Sequence, residues 1–226
     1  MHARVPIPAG TFLMGREGKL DNERPVHRVF VSAFEMAETP VTNRHYRIFL
    51  ERTGAPPPPF WSEPGFDDPD QPVVGVSWME ARRFCWWLAS ETGLEIRLPT
   101  EAEREKAARG RLESATFPWG DDPARGGPAR IHGPLERPER VRSSPPNGYG
   151  LYHMGDMVHE WCLDAYRADY YLVSPERDPC ASGSPRRSAR GGSWRHSILV
   201  TACASRSSLP PSFHYSDFGF RWVRTF

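Results

Sequence analysis

Helical spacing of apolar residues is confined to the first half of the chain. Thr42 is placed to cap a helix carrying Tyr46, Phe49 and Leu50, closed by Gly54 and the Pro56–Pro59 run. Ser77 and Glu80 form a Ser-x-x-Glu capping box. After it, Ala81, Phe84, Cys85 and Leu88 fall at i, i+3, i+4 and i+7, the spacing of one helix face, and Gly93 closes the element. A second box, Thr100 with Glu103, follows Pro99 and opens a short helix through Lys106 and Ala108 that stops at Gly110.

Strand patterns bracket these helices. Val26, Val29, Phe30 and Val31 form a β-prone run, followed by Phe34 and Met36. Near the other end Phe218, Phe220 and Trp222 alternate with Gly219, Arg221 and Val223, which predicts a strand with one buried face. From Phe117 to about Asn147 there is little periodicity, and so long a stretch in a compact domain predicts a structured, functional loop. Neither an internal repeat nor a domain boundary interrupts the chain. Terminal strands around helices confined to the first half predict an α+β layout with the two ends paired, not an alternating βαβ one.

Composition adds exclusions. The 226 residues include eight Trp, seven Tyr and twelve Phe, each worth roughly 150–250 Å² of burial, so a substantial core is expected despite 24 Pro and 19 Gly. With 29 Lys and Arg against 28 Asp and Glu the formal charge is +1, too small a field to attract nucleic acid. No run approaches the ~20 apolar residues of a membrane span, so no membrane partner is expected. The segment Met1-His-Ala-Arg-Val-Pro6 carries no secretory apolar stretch, so the expected compartment is cytoplasmic. Cys85, Cys162, Cys180 and Cys203 contain no Cys-x-x-Cys pair, which argues against a zinc ribbon or a thioredoxin-type site.

A series of motifs spans the chain. Ile7-Pro-Ala-Gly-Thr-Phe-Leu-Met-Gly15, Arg24-Pro-Val-His27, Thr39-Pro-Val-Thr-Asn43, Pro72-Val-Val-Gly-Val-Ser-Trp78 and Arg97-Leu-Pro-Thr-Glu-Ala-Glu103 come first. Phe117-Pro-Trp-Gly120, Asn147-Gly-Tyr-Gly-Leu-Tyr152, Glu160-Trp161, Gly191-Gly-Ser-Trp194 and Gly219-Phe-Arg221 follow. In content and order they resemble formylglycine-generating-enzyme (sulfatase-modifying factor) domains from about residue 5 to 224. The resemblance implies a single domain over residues 1–226 with a C-type-lectin-like α+β fold: twisted antiparallel strands, two main helices and much irregular loop.

The same resemblance places the chemistry. Catalytic members carry a Cys-x4-Cys pair after the Gly-Gly-Ser-aromatic motif, and the soft Cu(I) ion they use requires thiolates. Anchoring on Gly191-Gly192 puts His196 and Thr201 at those places; anchoring on Arg206 puts Ser193 and Ile198 there. Neither register supplies a thiolate pair, and Cys203 stands alone in the segment, so copper is not expected.

Calcium-binding members use positions that fall here on His153, Asp156, Val158 and Glu160. Calcium prefers oxygen, and an imidazole is a poor substitute. Three readings stay open: loss of the cation with Glu160 accepting hydrogen bonds, calcium retained through Asp156, or a transition metal held by His153 with Asp156 or Glu160. A further calcium position of the family maps to Arg130-Ile131, where no cation is expected. The default expectation is therefore no cofactor.

His153, His159 and His196 lie near the family's functional face, as a metal-binding or proton-shuttling trio or as three structural histidines. Trp78, Trp119, Trp161 and Trp194 read as core, and Arg206 and Arg221 as buried arginines. From Trp194 to Phe218 the mixture of rings and hydroxyls suits a ligand-contact loop, with Trp194, Arg195, His196, Arg206, His214 and Tyr215 as the binding candidates. A solvated loop with a returning strand is the alternative.

Three functions follow from the resemblance. The first is a ligand-binding or scaffold module for a protein, peptide or small molecule, without copper chemistry. The second is an oxidoreductase of altered chemistry, as in siderophore-maturation relatives. The third is formylglycine generation by a different ligand set. Hercynine-oxygenase relatives hold iron on an additional helical domain that these residues do not contain.

Overall fold

A computed structural model describes residues 3–18, 20–126, 135–198 and 201–226; Arg130 and Ile131 lie outside them. Three sheets are laid over three helices. The first runs β1(Arg4–Ile7), β4(Phe34–Ala37), β10(Val223–Arg224), β5(Ile96–Arg97), all antiparallel, so the chain ends flank the same strand. The second is the hairpin β2(Gly10–Met14)–β3(His27–Val31). The third runs β8(Arg206–Leu209), β7(Arg187–Arg190), β6(His159–Ala165), β9(Phe218–Gly219), and its β6–β9 pair is parallel, an exception to the expected antiparallel arrangement.

The helices begin and end where their caps dictate. In α1(Asn43–Thr53), α2(Trp78–Thr92) and α3(Glu101–Arg109) the preceding Thr42, Ser77 and Thr100 side chains accept from the backbone three residues on. Glu80 and Glu103 complete reciprocal capping boxes, and Gly54, Gly93 and Gly110 turn left-handed at the ends. The apolar stripes of α1 and α2 meet in one aromatic cluster: Tyr46 stacks on Phe84 at 5.8 Å, and Phe84 meets Phe220 edge-on at 5.2 Å.

One expectation is corrected. The alternation at 218–223 does not mark one long half-buried strand: Phe218–Gly219 and Val223–Arg224 belong to different sheets, and every residue from Asp217 to Val223 is buried. Arg221 is interior, as expected of it, and its ion pair with Glu160 overrides the alternation of faces. The third helix, for all its charge, is buried along its entire length. Its charges are matched inside the protein. Glu101 receives Arg190 and Arg206, Glu105 receives Arg190 and Arg109, Arg104 reaches Glu160, and Lys106 Nζ donates to the Pro8 and Gly10 carbonyls at 2.7 and 3.0 Å. Burying a charge is tolerated when it is paired and fully hydrogen-bonded.

The helix thereby ties β1–β4 to β6–β8. It fixes the loop that leaves β7 and the start of β6, the two segments from which the candidate site is built.

Candidate functional site

The parallel pairing of β6 with β9 brings His159 beside Asp217: the His159 N–H donates to the Asp217 carbonyl at 2.9 Å, one residue before Phe218 enters the register. The loop after β7 folds over them. Its Gly192 lies against Thr201 and Gly155, where a Cβ would come within 2.3 Å of Thr201 Cγ2, so only glycine admits this approach. Ser193, at the turn, is buried and donates to Asp217 Oδ2 at 3.0 Å. His196 follows on the exposed rim, its ring 5.1 Å from that of His159.

The His159 tautomer is set by its partner. A carbonyl only accepts, so Nδ1, 2.7 Å from the Gly191 oxygen, carries the proton, and the Nε2 lone pair faces Asp217 Oδ2 at 3.9 Å. Burial lowers the His159 pKa. The Asp217 charge and the Gly191 hydrogen bond oppose this and His196 adds to it, and the net shift is downward.

The ligand-loop candidates divide. Trp194 is held by two backbone carbonyls, its N–H on Met157 at 2.9 Å and its Nε1 on Ser216 at 3.1 Å, and it meets Phe66 edge-on. It is half-buried, a wall rather than a core residue. Arg195 and His196 beside it are exposed. His214 faces Glu80 Oε2 at 3.0 Å, while Tyr215 and Phe213 are exposed and 6.1 Å apart. Ring contacts run from Phe213 through Tyr215, Phe218 and His159 to His196, one continuous strip. Arg206 is not part of it. Both its outer nitrogens and Nε are spent inside, on Glu101, Asn22 O and Arg167 O, under Tyr171.

The calcium-type positions differ in their surroundings. Glu160 is fully buried and its two oxygens are taken by Arg104 at 2.7 Å and Arg221 at 3.1 Å, so its charge is already neutralised. The Val158 side chain packs in an apolar cluster with Val74 and Met157, and the ligand its position supplies in calcium-binding members is a backbone carbonyl. His153 and Asp156 do pair, Nδ1 to Oδ1 at 3.2 Å, and His153 Nε2 is buried without a partner at the edge of a cavity of about 220 Å³ that Trp119 also lines. Among the described residues the one group of three histidine, cysteine or acidic side chains placed to share an ion is His159, His196 and Asp217. Asp217 escaped the sequence reading. Its only signal was a carboxylate next to the Gly219-Phe-Arg221 motif, and the partner that gives it meaning is 58 residues away by the numbering.

Comparison with known proteins fits this frame. The family model described as sulfatase-modifying factor enzyme 1-like domain matches residues 1–226. The chain belongs to this family. It is 32% identical to the formylglycine-generating enzyme of Streptomyces coelicolor, over 96% of this chain and 88% of that protein. It is also 33% identical to the serine/threonine-protein kinase pkn1 of Chlamydia pneumoniae over 97% of this chain, but spans only 37% of the kinase. Among solved structures, PvdO from Pseudomonas aeruginosa superposes with a TM-score of 0.86 at 26% identity, covering 99% of this chain and 94% of that one. The C-type-lectin-like α+β fold of the family is the fold seen here. No helix among the described residues is long and apolar enough to cross a membrane.

The residues of this sulfatase-modifying factor domain do not fit the copper of its catalytic relatives. In the register anchored on Gly191-Gly192 the thiolate places fall on His196, which offers nitrogen, and on Thr201, whose hydroxyl donates to the Gly155 and Ile198 carbonyls at 3.1 Å. In the register anchored on Arg206 they fall on Ser193 and Ile198, and neither supplies a thiolate. Cys203 lies under the loop, buried among charged groups, and burial pushes its thiol up to about 12, far from the thiolate a Cu(I) site needs. The hollow between Ser193, Trp194, His196, Ile198 and Thr201 is about 10 Å³, on the scale of one water. A concavity of about 560 Å³ lies elsewhere, against Ile48, Trp87, Leu88 and Trp222.

Proposed function

We propose that this chain is an atypical member of the sulfatase-modifying factor family: a binding module that keeps the fold and presents a ligand face, without copper-dependent formylglycine formation. The observation that carries this is the donor set: the thiolate places fall on His196 and Thr201 in one register and on Ser193 and Ile198 in the other, and the hollow these four residues line is about 10 Å³. The face is the strip from Trp194, Arg195 and His196 to His214 and Tyr215, rings for area and polar groups for direction. Its ligand is a protein, peptide or small molecule; the balanced charge of +1 argues against nucleic acid.

The test supplies copper, a reductant and oxygen to the purified chain with a Cys-x-Pro-x-Arg peptide, and follows the peptide mass. No aldehyde product is expected, and stoichiometric copper with formylglycine product overturns the reading. A second reading, an oxidoreductase of different chemistry, is favoured by the kinship with a formylglycine-generating enzyme and by the two imidazoles beside Asp217.

A further inference from the structure

We propose that His159, His196 and Asp217 hold one divalent first-row transition ion, zinc or ferrous iron by donor type. Two imidazoles and a carboxylate form the set that binds such ions while leaving positions open. This site is distinct from the His153–Glu160 positions and from the family's thiolates. It uses nitrogen and oxygen, which suit a borderline divalent cation and not Cu(I).

Five features of the geometry converge. The three ligand atoms lie within 4.8 Å of one another, on segments that only the β6–β9 pairing and the Gly191–Ser193 turn bring together. His159 spends its Nδ1 proton on the Gly191 carbonyl, which orients the ring and leaves Nε2 as the donor, the arrangement found behind most metal-bound histidines. Ser193 restrains the Asp217 oxygen from behind, a second supporting contact of the same kind. The His159 Nε2 to Asp217 Oδ2 separation, 3.9 Å, is beyond hydrogen-bond length but bridgeable by an ion with bonds of about 2.0–2.2 Å to each. His196 is exposed on a loop, so rotation of its side chain closes the third bond without moving the fold.

The proposal does not depend on the binding-module reading, since the metal is measured without any ligand or substrate. The purified full chain, carrying no affinity tag, is titrated with Co²⁺ followed by visible absorption, then with Zn²⁺ as competitor. One saturable equivalent is expected, displaced by zinc. His196→Ala, which replaces an exposed side chain, and Asp217→Asn should each weaken Co²⁺ binding at least tenfold. Ser193→Ala should weaken it by about 10–100-fold, and His153→Ala should leave it unchanged. Absence of a one-equivalent transition, or equal affinity in the wild type and His196→Ala, overturns the assignment. So does loss of binding in His153→Ala with retention in His196→Ala.

Discussion

Arg221 reaches Glu160 where neither side chain meets solvent, Nη2 lying 3.1 Å from Oε1. Arg104 closes on the other oxygen from α3, so one carboxylate in β6 anchors both the third helix and the last strand region. Arg221 spends its remaining donors on the Ala37, Glu38 and Tyr152 carbonyls. Glu160→Ala would strand two buried guanidinium groups. Removing one partner of a buried pair costs about 3–5 kcal/mol, and urea unfolding should show a loss of that size. Because the carboxylate is occupied, millimolar calcium should leave the melting temperature of the wild type unmoved; a rise would revive a cation at His153–Glu160.

Acid should unfold the protein through the same network. Glu101 is buried, which by itself raises its pKa, but Arg206 and Arg190 overcome this and hold it down to about 2, against 4.5 in an unfolded chain. A depressed carboxylate contributes stability that is present above 4.5 and lost as pH falls from there toward 2. Glu101→Gln should therefore be clearly less stable than wild type at pH 7, and the gap should narrow across that window. A gap that stays constant down to pH 2 would assign the loss to packing instead.

Helix capping offers a smaller effect. Thr100 accepts from the Glu103 N–H at 3.1 Å, and Glu103 returns the bond to the Thr100 N–H at 2.7 Å. Thr100→Ala should cost about 1–2 kcal/mol, measurable as a shift in the denaturant midpoint with an unchanged slope.

The ligand strip should separate binding from folding. Phe213 and Tyr215 are exposed, and substitutions at such sites stay within about ±0.5 kcal/mol. A Phe213→Ser, Tyr215→Ser double variant should melt with the wild type yet lose the members that the wild type retains from an immobilised peptide library. Equal retention by both proteins would remove the strip from the binding face.

The helices were legible because their signals are local. Ser77 with Glu80 and Thr100 with Glu103 satisfy backbone donors within one turn, and Gly54, Gly93 and Gly110 end each element by their own backbone freedom. The polar interior was not legible. Glu101, Arg104, Glu105 and Arg109 are held inside chiefly by partners 50 to 105 residues away, apart from the bonds of Arg109 to Glu105 and to the Ala115 carbonyl. The candidate site divides the same way. His159 and His196 were visible as histidines near a known motif, whereas Asp217 gained a role only through pairing.

By itself, then, the sequence determined the caps, the family, the fold that goes with it and the lack of a thiolate pair, because each depends on which residues stand at fixed short spacings. Tertiary structure decided which charges are interior, that Arg206 faces the core while Trp194 forms a wall, and that two imidazoles share a carboxylate. Those outcomes depend on distances across strands and loops, where Coulomb interaction and desolvation act between groups whose separation along the chain carries no information about their separation in space.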